Sequence, residues 1–274
     1  MHEPPILQVE ALSVDAVQRG ATRRLVDRLS FSVGAERVAL VGESGSGKSL
    51  TARALAGLLA PPLRSHATVL QLEQTDLLGL AARDWEQLRG QRLSLMLQDP
   101  RHSLNPVLTI GRQLDLALRT HQRLGRAERR ERIAAMLESV GLAGARHLSG
   151  AYPHQISGGM GQRVVLAMML INEPRLLIAD EPTSALDAAL REQVLELITG
   201  LVQTRHMGLL LISHDLQLVS RHAQRVLVMA RGQLVDECPA SELHRSAHPY
   251  TRTLWSCRPS ASTYGTELPV LDRA

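Results

Sequence analysis

One lysine occurs among the 31 basic residues of the chain, and it lies in the run Gly42-Glu43-Ser44-Gly45-Ser46-Gly47-Lys48-Ser49. An ammonium is a compact charge on a flexible stem that fits between crowded phosphate oxygens, whereas the arginine used everywhere else presents a wide planar fork. Glycines let backbone N–H groups converge on an anion, and a helix start adds partial positive charge. Lys48 is then placed to reach the β- and γ-phosphates of a nucleoside triphosphate, with the Ser49 hydroxyl as a Mg²⁺ ligand. The run fits G-x-x-x-x-G-K-S/T, a pattern that carries this chemistry between a strand and a helix. The apolar residues Val38-Ala39-Leu40-Val41 before it and the helix-compatible stretch 50–59 after it supply that setting.

Two further clusters carry chemistry. In Arg175-Leu176-Leu177-Ile178-Ala179-Asp180-Glu181 the apolar residues predict a buried strand whose end presents adjacent carboxylates. In phosphate-loop proteins such a strand lies beside the one that feeds the loop, so Asp180 is expected to hold Mg²⁺. Glu181, one residue on, is placed to polarise a water for in-line attack on the γ-phosphate. The run Ile156-Ser157-Gly158-Gly159-Met160-Gly161-Gln162-Arg163 precedes the apolar stretch 164–171. A serine and glycines at that helix start make a second anion-receptive N-terminus.

The elements that must position these groups read as α/β. Residues 6–13 alternate like an edge strand, 29–33 and 37–41 give two more strands, and helical and strand patterns then interchange, which predicts a mostly parallel sheet. Between 93–97 and 176–179 lies a long region of helical periodicity that includes 110–121 and 127–140, read as an inserted helical subdomain. Beyond about residue 239 the pattern becomes a proline-punctuated helical tail.

Composition excludes several classes. With 44% hydrophobic and 21% charged residues in 274, the chain can bury a substantial core and is not disordered. Its longest apolar runs fall far short of the roughly 18 residues of a membrane span. Residues 1–5 lack the basic and apolar regions of a secretory signal, and Cys238 and Cys257 make no disulfide framework, so a reducing cytoplasm is expected. The formal charge of +4 does not argue for nucleic acid, because aromatic stacking platforms amount to 2% of the chain and glutamates interleave the arginines of 126–132. His244 and His248 stand at a helical spacing, but Pro249 follows and no carboxylate partner is fixed in sequence, so they are assigned to a structural tail.

Taken together, the motifs resemble the ATP-binding subunit of an ABC transporter. Residues 42–49 are similar to the Walker A loop, Gln98 in Leu97-Gln98-Asp99-Pro100 to the Q-loop glutamine, and Ser157-Gly158-Gly159-Met160 to the signature. Asp180 and Glu181 look like the Walker B magnesium ligand and catalytic base. Ser184-Ala185-Leu186-Asp187 resembles the D-loop, and His214 in Ile212-Ser213-His214-Asp215 the switch histidine that contacts the γ-phosphate. The resemblance implies a P-loop NTPase (RecA-like) α/β core with an N-terminal antiparallel β subdomain and an α-helical insertion at about 100–165. The ATPase domain would span 1–240 and a helical extension 241–274. It also implies ATP and Mg²⁺ as cofactors, with Ser49, Gln98 and Asp180 toward the metal, and a signature that caps the ATP of an opposite subunit.

Finer features narrow the resemblance to the oligopeptide, dipeptide and nickel importer branch. These are residues 98–106, Tyr152-Pro153-His154-Gln155 before the signature, and His248-Pro249-Tyr250-Thr251. That branch implies a second, different ATPase chain, two transmembrane permease subunits and an extracytoplasmic binding protein, with this chain peripheral on the cytoplasmic face of the bacterial inner membrane. Tyr264-Gly265-Thr266-Glu267-Leu268 is similar to the ending of nickel-importer ATPases, so peptides and nickel or metal chelates both stand as cargo. The family's aromatic platform for adenine has no counterpart in 14–22, and only Cys257 lies where some relatives carry cluster-ligating cysteines, so no iron–sulfur cluster is expected. The alternative is a non-transport ABC ATPase acting on ribosomes or DNA, although such chains generally carry tandem cassettes or coiled-coil arms.

Overall fold

The computed structural model describes residues 4–18, 21–97, 103–142, 144–184 and 186–258. The chain divides into two compact units, Met1–Gly79 with Gly208–Ala274, and Leu80–Met207. Among the described residues no helix is long and apolar enough to cross a membrane.

The first unit opens with β1 (Leu7–Gln18), β2 (Ala21–Val33), β3 (Arg37–Val41), α1 (Lys48–Leu55), β4 (Leu63–His66), β5 (Val69–Leu72) and β6 (Thr75–Asp76). β1 pairs antiparallel with β2 from Leu7↔Val33 to Gln18↔Ala21, and its other side carries β5 and β4. The alternation in 6–13 predicts an edge strand, yet β1 is interior to its sheet. Alternation reports that one face of a strand is wetter than the other, and it is silent on how many neighbours the strand has. The β1–β2 register shifts between Val9 and Leu12, where Ala11 sits at φ 52, so the ladder bulges. Serine hydroxyls take up backbone donors there: Ala11 N–H donates to Ser30 Oγ at 2.9 Å and Arg28 N–H to Ser13 Oγ at 3.0 Å.

The second unit contains α2 (Ala82–Leu88), β7 (Leu93–Met96), α3 (Ile110–His121), α4 (Arg126–Ser139), α5 (Ala145–Leu148), α6 (Gly158–Leu170), β8 (Leu176–Asp180) and α7 (Ala188–Thr204). β7 and β8 run parallel, with Met96 opposite Ala179. α3 starts where Thr109 accepts the Arg112 N–H and buries Ile110, Leu114 and Leu118, a four-residue repeat that marks one face of a helix. α4 buries Ile133, Met136 and Leu137. Its arginines reach beyond their own helix, Arg129 to Asp115 on α3 at 2.5 Å and Arg132 to Glu173 at 3.7 Å. Ser94 of β7 donates to the Met169 carbonyl at 2.7 Å and Asn172 to that of Ala117 at 3.0 Å, so side chains fasten α6 to β7 and the turn after α6 to α3.

The chain then returns to the first unit with β9 (Gly208–Ile212), α8 (Leu216–His222), β10 (Arg225–Ala230), β11 (Gln233–Pro239) and α9 (Pro249–Ser256). Within this unit the strand order is β11-β10-β3-β9, with β10, β3 and β9 parallel and β11 antiparallel. The β3 residues Val38, Ala39, Leu40 and Val41 are fully buried, as a parallel strand covered on both faces requires. Ala39 and Val41 pack with Leu216 and Val219 of α8 and Val226 and Val228 of β10. Tyr250, Leu254 and Trp255 of α9 close over that cluster.

Gly161 lies inside α6 without a positive φ, and a Cβ there would meet Ile156 Cδ1 and Leu104 Cδ1 at 3.8 Å, ordinary contact distances. Glycine in a helix interior is destabilising by about 0.5–1 kcal/mol relative to alanine. Gly161→Ala is therefore expected to raise the melting temperature by about 2–4 °C, read by calorimetry, and a lower value would show that the helix needs the glycine.

Candidate nucleotide site

The phosphate loop grows out of β3. Gly42, the first residue after that strand, has φ 151, and a Cβ on it would fall 2.0 Å from the Met229 carbonyl oxygen and 2.9 Å from Ser46 Oγ. Gly47 has φ 107, and its Cβ would meet Met229 Cε at 2.7 Å and Val26 Cγ2 at 3.1 Å. These two glycines let the backbone fold tightly over the end of β10. Gly47 is also the N-cap of α1 and no side chain caps that end, so the first-turn amides present an electropositive rim. The loop floor is the β10–β11 turn. Gly232 N–H donates to the Ser46 carbonyl at 3.0 Å, and the Gly232 carbonyl accepts Asp27 N–H at 2.7 Å, which ties the loop to β2.

Lys48 is 7% exposed, and its Nζ donates to the carbonyls of Gly42 at 2.9 Å and Glu43 at 2.8 Å. Its ammonium is thereby held over the loop, where a phosphate oxygen can replace a carbonyl as acceptor. Thr51, fully buried, anchors the helix start by donating both N–H and hydroxyl to the Gly47 carbonyl. His214 belongs to the same unit. β3 and β9 pair Leu40 with Ile212, so Gly42 and His214 each stand two residues past that pair, at the carboxyl ends of adjacent parallel strands. His214 is exposed. Asp215 beside it caps α8, accepting the N–H groups of Gln217 and Leu218 at 3.1 Å.

In the other unit, Asp180 ends β8 at 2% exposure, while Glu181 follows at φ 49 and is partly exposed. A non-glycine residue in the left-handed region carries roughly 1–2 kcal/mol of strain, which the surrounding turn must hold. Ser184 N–H donates to the Glu181 carbonyl at 3.2 Å. Ser157 is the exposed N-cap of α6 and accepts the Met160 N–H at 3.3 Å; Gly158 and Gly159 form the first turn. Asp187 caps α7 by accepting the Leu190 N–H at 3.0 Å. Gln98 and Ala185 lie outside the described residues, as do 264–268.

Two contributors escape a sequence reading. Gln162, buried in α6, donates its amide to the Pro182 carbonyl and so fastens the signature helix to the turn that follows Asp180 and Glu181. Its sequence signal is an amide beside Arg163, just before the apolar run of α6. Met229 and Gly232 form the loop floor, and only the hairpin signal Arg231-Gly232 after an apolar run marks them. Among the described residues no group of three or more His, Cys, Asp or Glu side chains is gathered to hold a metal, and His244 instead lies 6.1 Å from the Trp255 ring.

The donor chemistry fits nucleotide and Mg²⁺ together. A cradle that any Cβ at Gly42 or Gly47 would fill, an uncapped helix end and a buried ammonium suit a polyphosphate. The Ser49 hydroxyl, in the unit of the loop, and the Asp180 carboxylate, in the other unit, are each the kind of hard oxygen donor that Mg²⁺ takes.

A P-loop strand and helix, paired carboxylates at a second strand end and a serine-capped glycine helix start define an ATP-binding cassette. The ABC transporter family model matches residues 26–184, more than half of the chain, and the chain belongs to that family. It is 43% identical over 251 residues to the dipeptide transport ATP-binding protein DppD of Haemophilus influenzae, covering 91% of this chain and 76% of that protein. The Escherichia coli K12 DppD is 42% identical over 256 residues, covering 93% and 78%. The dimeric post-hydrolysis structure of the ATP-binding cassette MJ0796, bound to ADP and Pi, superposes with a TM-score of 0.74 at 23% identity. It covers 85% of this chain and 98% of that one, a likeness of fold.

A Cβ at Gly45 would meet nothing within 4 Å, in contrast to Gly42. Gly45→Ala should therefore lose only about 1–2 kcal/mol, from its positive φ. Gly42→Ala should lose about 2–3 kcal/mol and abolish MgATP binding, because the Met229 carbonyl must move. Thermal melts with and without MgATP separate the two, and equal effects would dismiss the close approach as the reason for Gly42.

Proposed function

We propose that the chain is the ATP-hydrolysing subunit of an importer that brings peptides across the bacterial inner membrane. The observation that carries this reading is the full set of cassette motifs in a chain 43% identical, over 91% of its length, to a dipeptide transport ATP-binding protein. The chain acts at the cytoplasmic face as a peripheral subunit, with two transmembrane permease subunits, an extracytoplasmic binding protein and a second ATPase chain of different sequence. The ribosome- or DNA-directed alternative is set aside, because the matching family is one of transporters and both DppD relatives are named for transport. Nickel as cargo rests on residues 264–268 alone, so peptides are preferred.

The phosphates are held by the loop amides of Gly42, Glu43, Ser44, Gly45, Ser46 and Gly47 and by Lys48. Ser49, Asp180 and Gln98 would hold Mg²⁺, which would supply charge neutralisation at the β- and γ-phosphates. Glu181 accepts the proton of the attacking water, while Gln98 and His214 orient that water. Ser157, Gly158, Gly159 and Met160 cap the γ-phosphate of ATP on the partner ATPase, and the partner's signature does the same here. Neither protomer then holds a complete reaction centre. Closure excludes bulk water and completes both sites, and hydrolysis removes the bridging γ-phosphate so that the pair reopens.

Glu181→Gln is expected to retain MgATP affinity, to lower turnover by at least about 10²-fold and to accumulate a closed dimer on gel filtration. Turnover near the native rate would remove Glu181 from the role of base. Lys48→Arg should weaken MgATP binding at least about tenfold despite the retained charge, by equilibrium titration, because the planar fork does not fit between phosphate oxygens.

A further inference from the structure

The β10–β11 turn meets the phosphate loop at both ends of the run 42–47. A Cβ on Gly42 would fall 2.0 Å from the Met229 carbonyl oxygen and one on Gly47 would fall 2.7 Å from Met229 Cε, while Gly232 N–H donates to the Ser46 carbonyl at 3.0 Å. The turn is thus the mould against which the loop curves, and what holds the turn holds the loop. Gly232 itself is buried at φ 83, and a Cβ on it would fall 2.6 Å from the Leu25 carbonyl oxygen, so the turn lies directly on β2.

Asp27 of β2 grips that turn twice. Its N–H donates to the Gly232 carbonyl at 2.7 Å, and its Oδ2 accepts Gln233 Nε2 at 2.8 Å. The other carboxylate oxygen faces the sheet: Oδ1 accepts Arg24 Nη1 at 3.1 Å and lies 3.5 Å from Arg28 Nε. Arg24 Nε in turn pairs with Asp15 Oδ1 on β1 at 3.0 Å. The carboxylate is therefore anchored to the β1–β2 ladder through one oxygen and holds the turn through the other. The Gln233 amide first, then Arg24 and Arg28, keep the group below the ordinary aspartate value against the effect of burial, so it remains an acceptor. A continuous path of hydrogen bonds then runs from Asp27 through residues 232 and 233 to Ser46 in the loop.

We propose that Asp27 is a positioning residue for nucleotide binding: by clasping Gln233 with its carboxylate and Gly232 with its N–H, it fixes the turn that shapes the phosphate loop, and so presets the curvature in which the loop amides and Lys48 meet the phosphates. This rests on the reading of residues 42–49 as the ATP site. A loop preset in this way loses less conformational freedom on binding, so the effect falls on affinity. Charge alone runs the other way. Asp27 follows Val26, whose Cγ2 lies 3.1 Å from the Cβ position of Gly47, and a carboxylate placed there opposes a polyphosphate by simple repulsion. Removal of the side chain therefore has opposite signs under the two accounts: a weaker grip on ATP if it shapes the loop, a tighter one if it acts only as a charge.

The test uses the full chain, with the Kd for MgATP read by equilibrium titration and the melting temperature of the nucleotide-free protein read alongside. Asp27→Ala is expected to raise the Kd about three- to tenfold, roughly the worth of one net hydrogen bond. Gln233→Met, which keeps the length of the side chain and removes its amide, should raise it to the same degree, and the double variant should show no further rise, because both changes open one clasp. Asp27→Asn keeps an acceptor oxygen for Gln233 without the charge and should restore a Kd at or below the native value. An unaltered or lowered Kd in Asp27→Ala, even with a lower melting temperature, would overturn the proposal and leave Asp27 a residue of the sheet. A Kd in Asp27→Asn as high as in Asp27→Ala would place the effect in the ion pairs with Arg24 and Arg28 and would overturn it too. Lys48→Ala run in parallel is expected to lose MgATP binding. If it binds as the native chain does, the assignment of the ATP site fails; if it loses binding while Asp27→Ala matches the native chain, only the role of Asp27 fails.

Discussion

The nucleotide half of the molecule depends on how closely the backbone at Gly42 passes the carbonyl of Met229. The ideal Cβ position at Gly42 lies 2.0 Å from that oxygen, so β3 can turn into the loop only where a side chain is absent. The parallel pairing of β3 with β10 and β9 sets that approach, since it aligns the ends of three buried strands and lets the loop that leaves β3 bend over the end of β10. Once the bend is fixed, the rest of the grip follows from short-range contacts. Gly47 caps α1 without a side chain, Ser46 is tied to Gly232, and Lys48 folds back to the carbonyls at the loop entry. Arginine would have to fit its fork into the same space, which explains why a chain rich in arginine carries lysine there.

What could be read from the sequence divides along the range of the interaction. α3 spans Ile110–His121, the stretch its periodicity marks, because one buried face and a threonine cap are local properties. The burial of Leu176–Asp180 follows equally from an unbroken apolar run. β1 is different. Its alternation marks the wet and dry faces, while its neighbours all follow it in sequence, β2 directly and β4 and β5 beyond the phosphate loop. The Walker residues announce themselves through fixed spacing. Gln162 does not, because an amide reaching Pro182 becomes visible only when distant segments are brought together. Gln98, legible as a motif, lies outside the described residues.

The two adjacent carboxylates are distinguished by environment. Asp180 finishes a fully buried strand at 2% exposure. Glu181 leaves the strand through a left-handed residue and regains partial exposure, which sends its side chain into a different setting from its neighbour's. Strain of that kind persists only where surrounding contacts hold it. Here Ser184 takes the Glu181 carbonyl and Gln162 takes that of Pro182, so the turn is pinned at successive carbonyls. The second pin comes from α6, so the helix that begins at Ser157 and the turn that follows Asp180 share a hydrogen bond.

Helix caps sort the anion-binding ends from the rest. α7 and α8 begin at Asp187 and Asp215, whose carboxylates accept first-turn amides and complement the positive helix end. A carboxylate at a helix start consumes first-turn amides and would repel an anion there. α1 begins instead at Gly47, with no side-chain acceptor, and α6 at Ser157, a neutral hydroxyl that accepts the Met160 N–H and retains its own proton to donate. Aspartate would serve as well as serine if α6 needed only a stable start. A neutral cap followed by Gly158 and Gly159 leaves the positive end of α6 without a carboxylate to neutralise it.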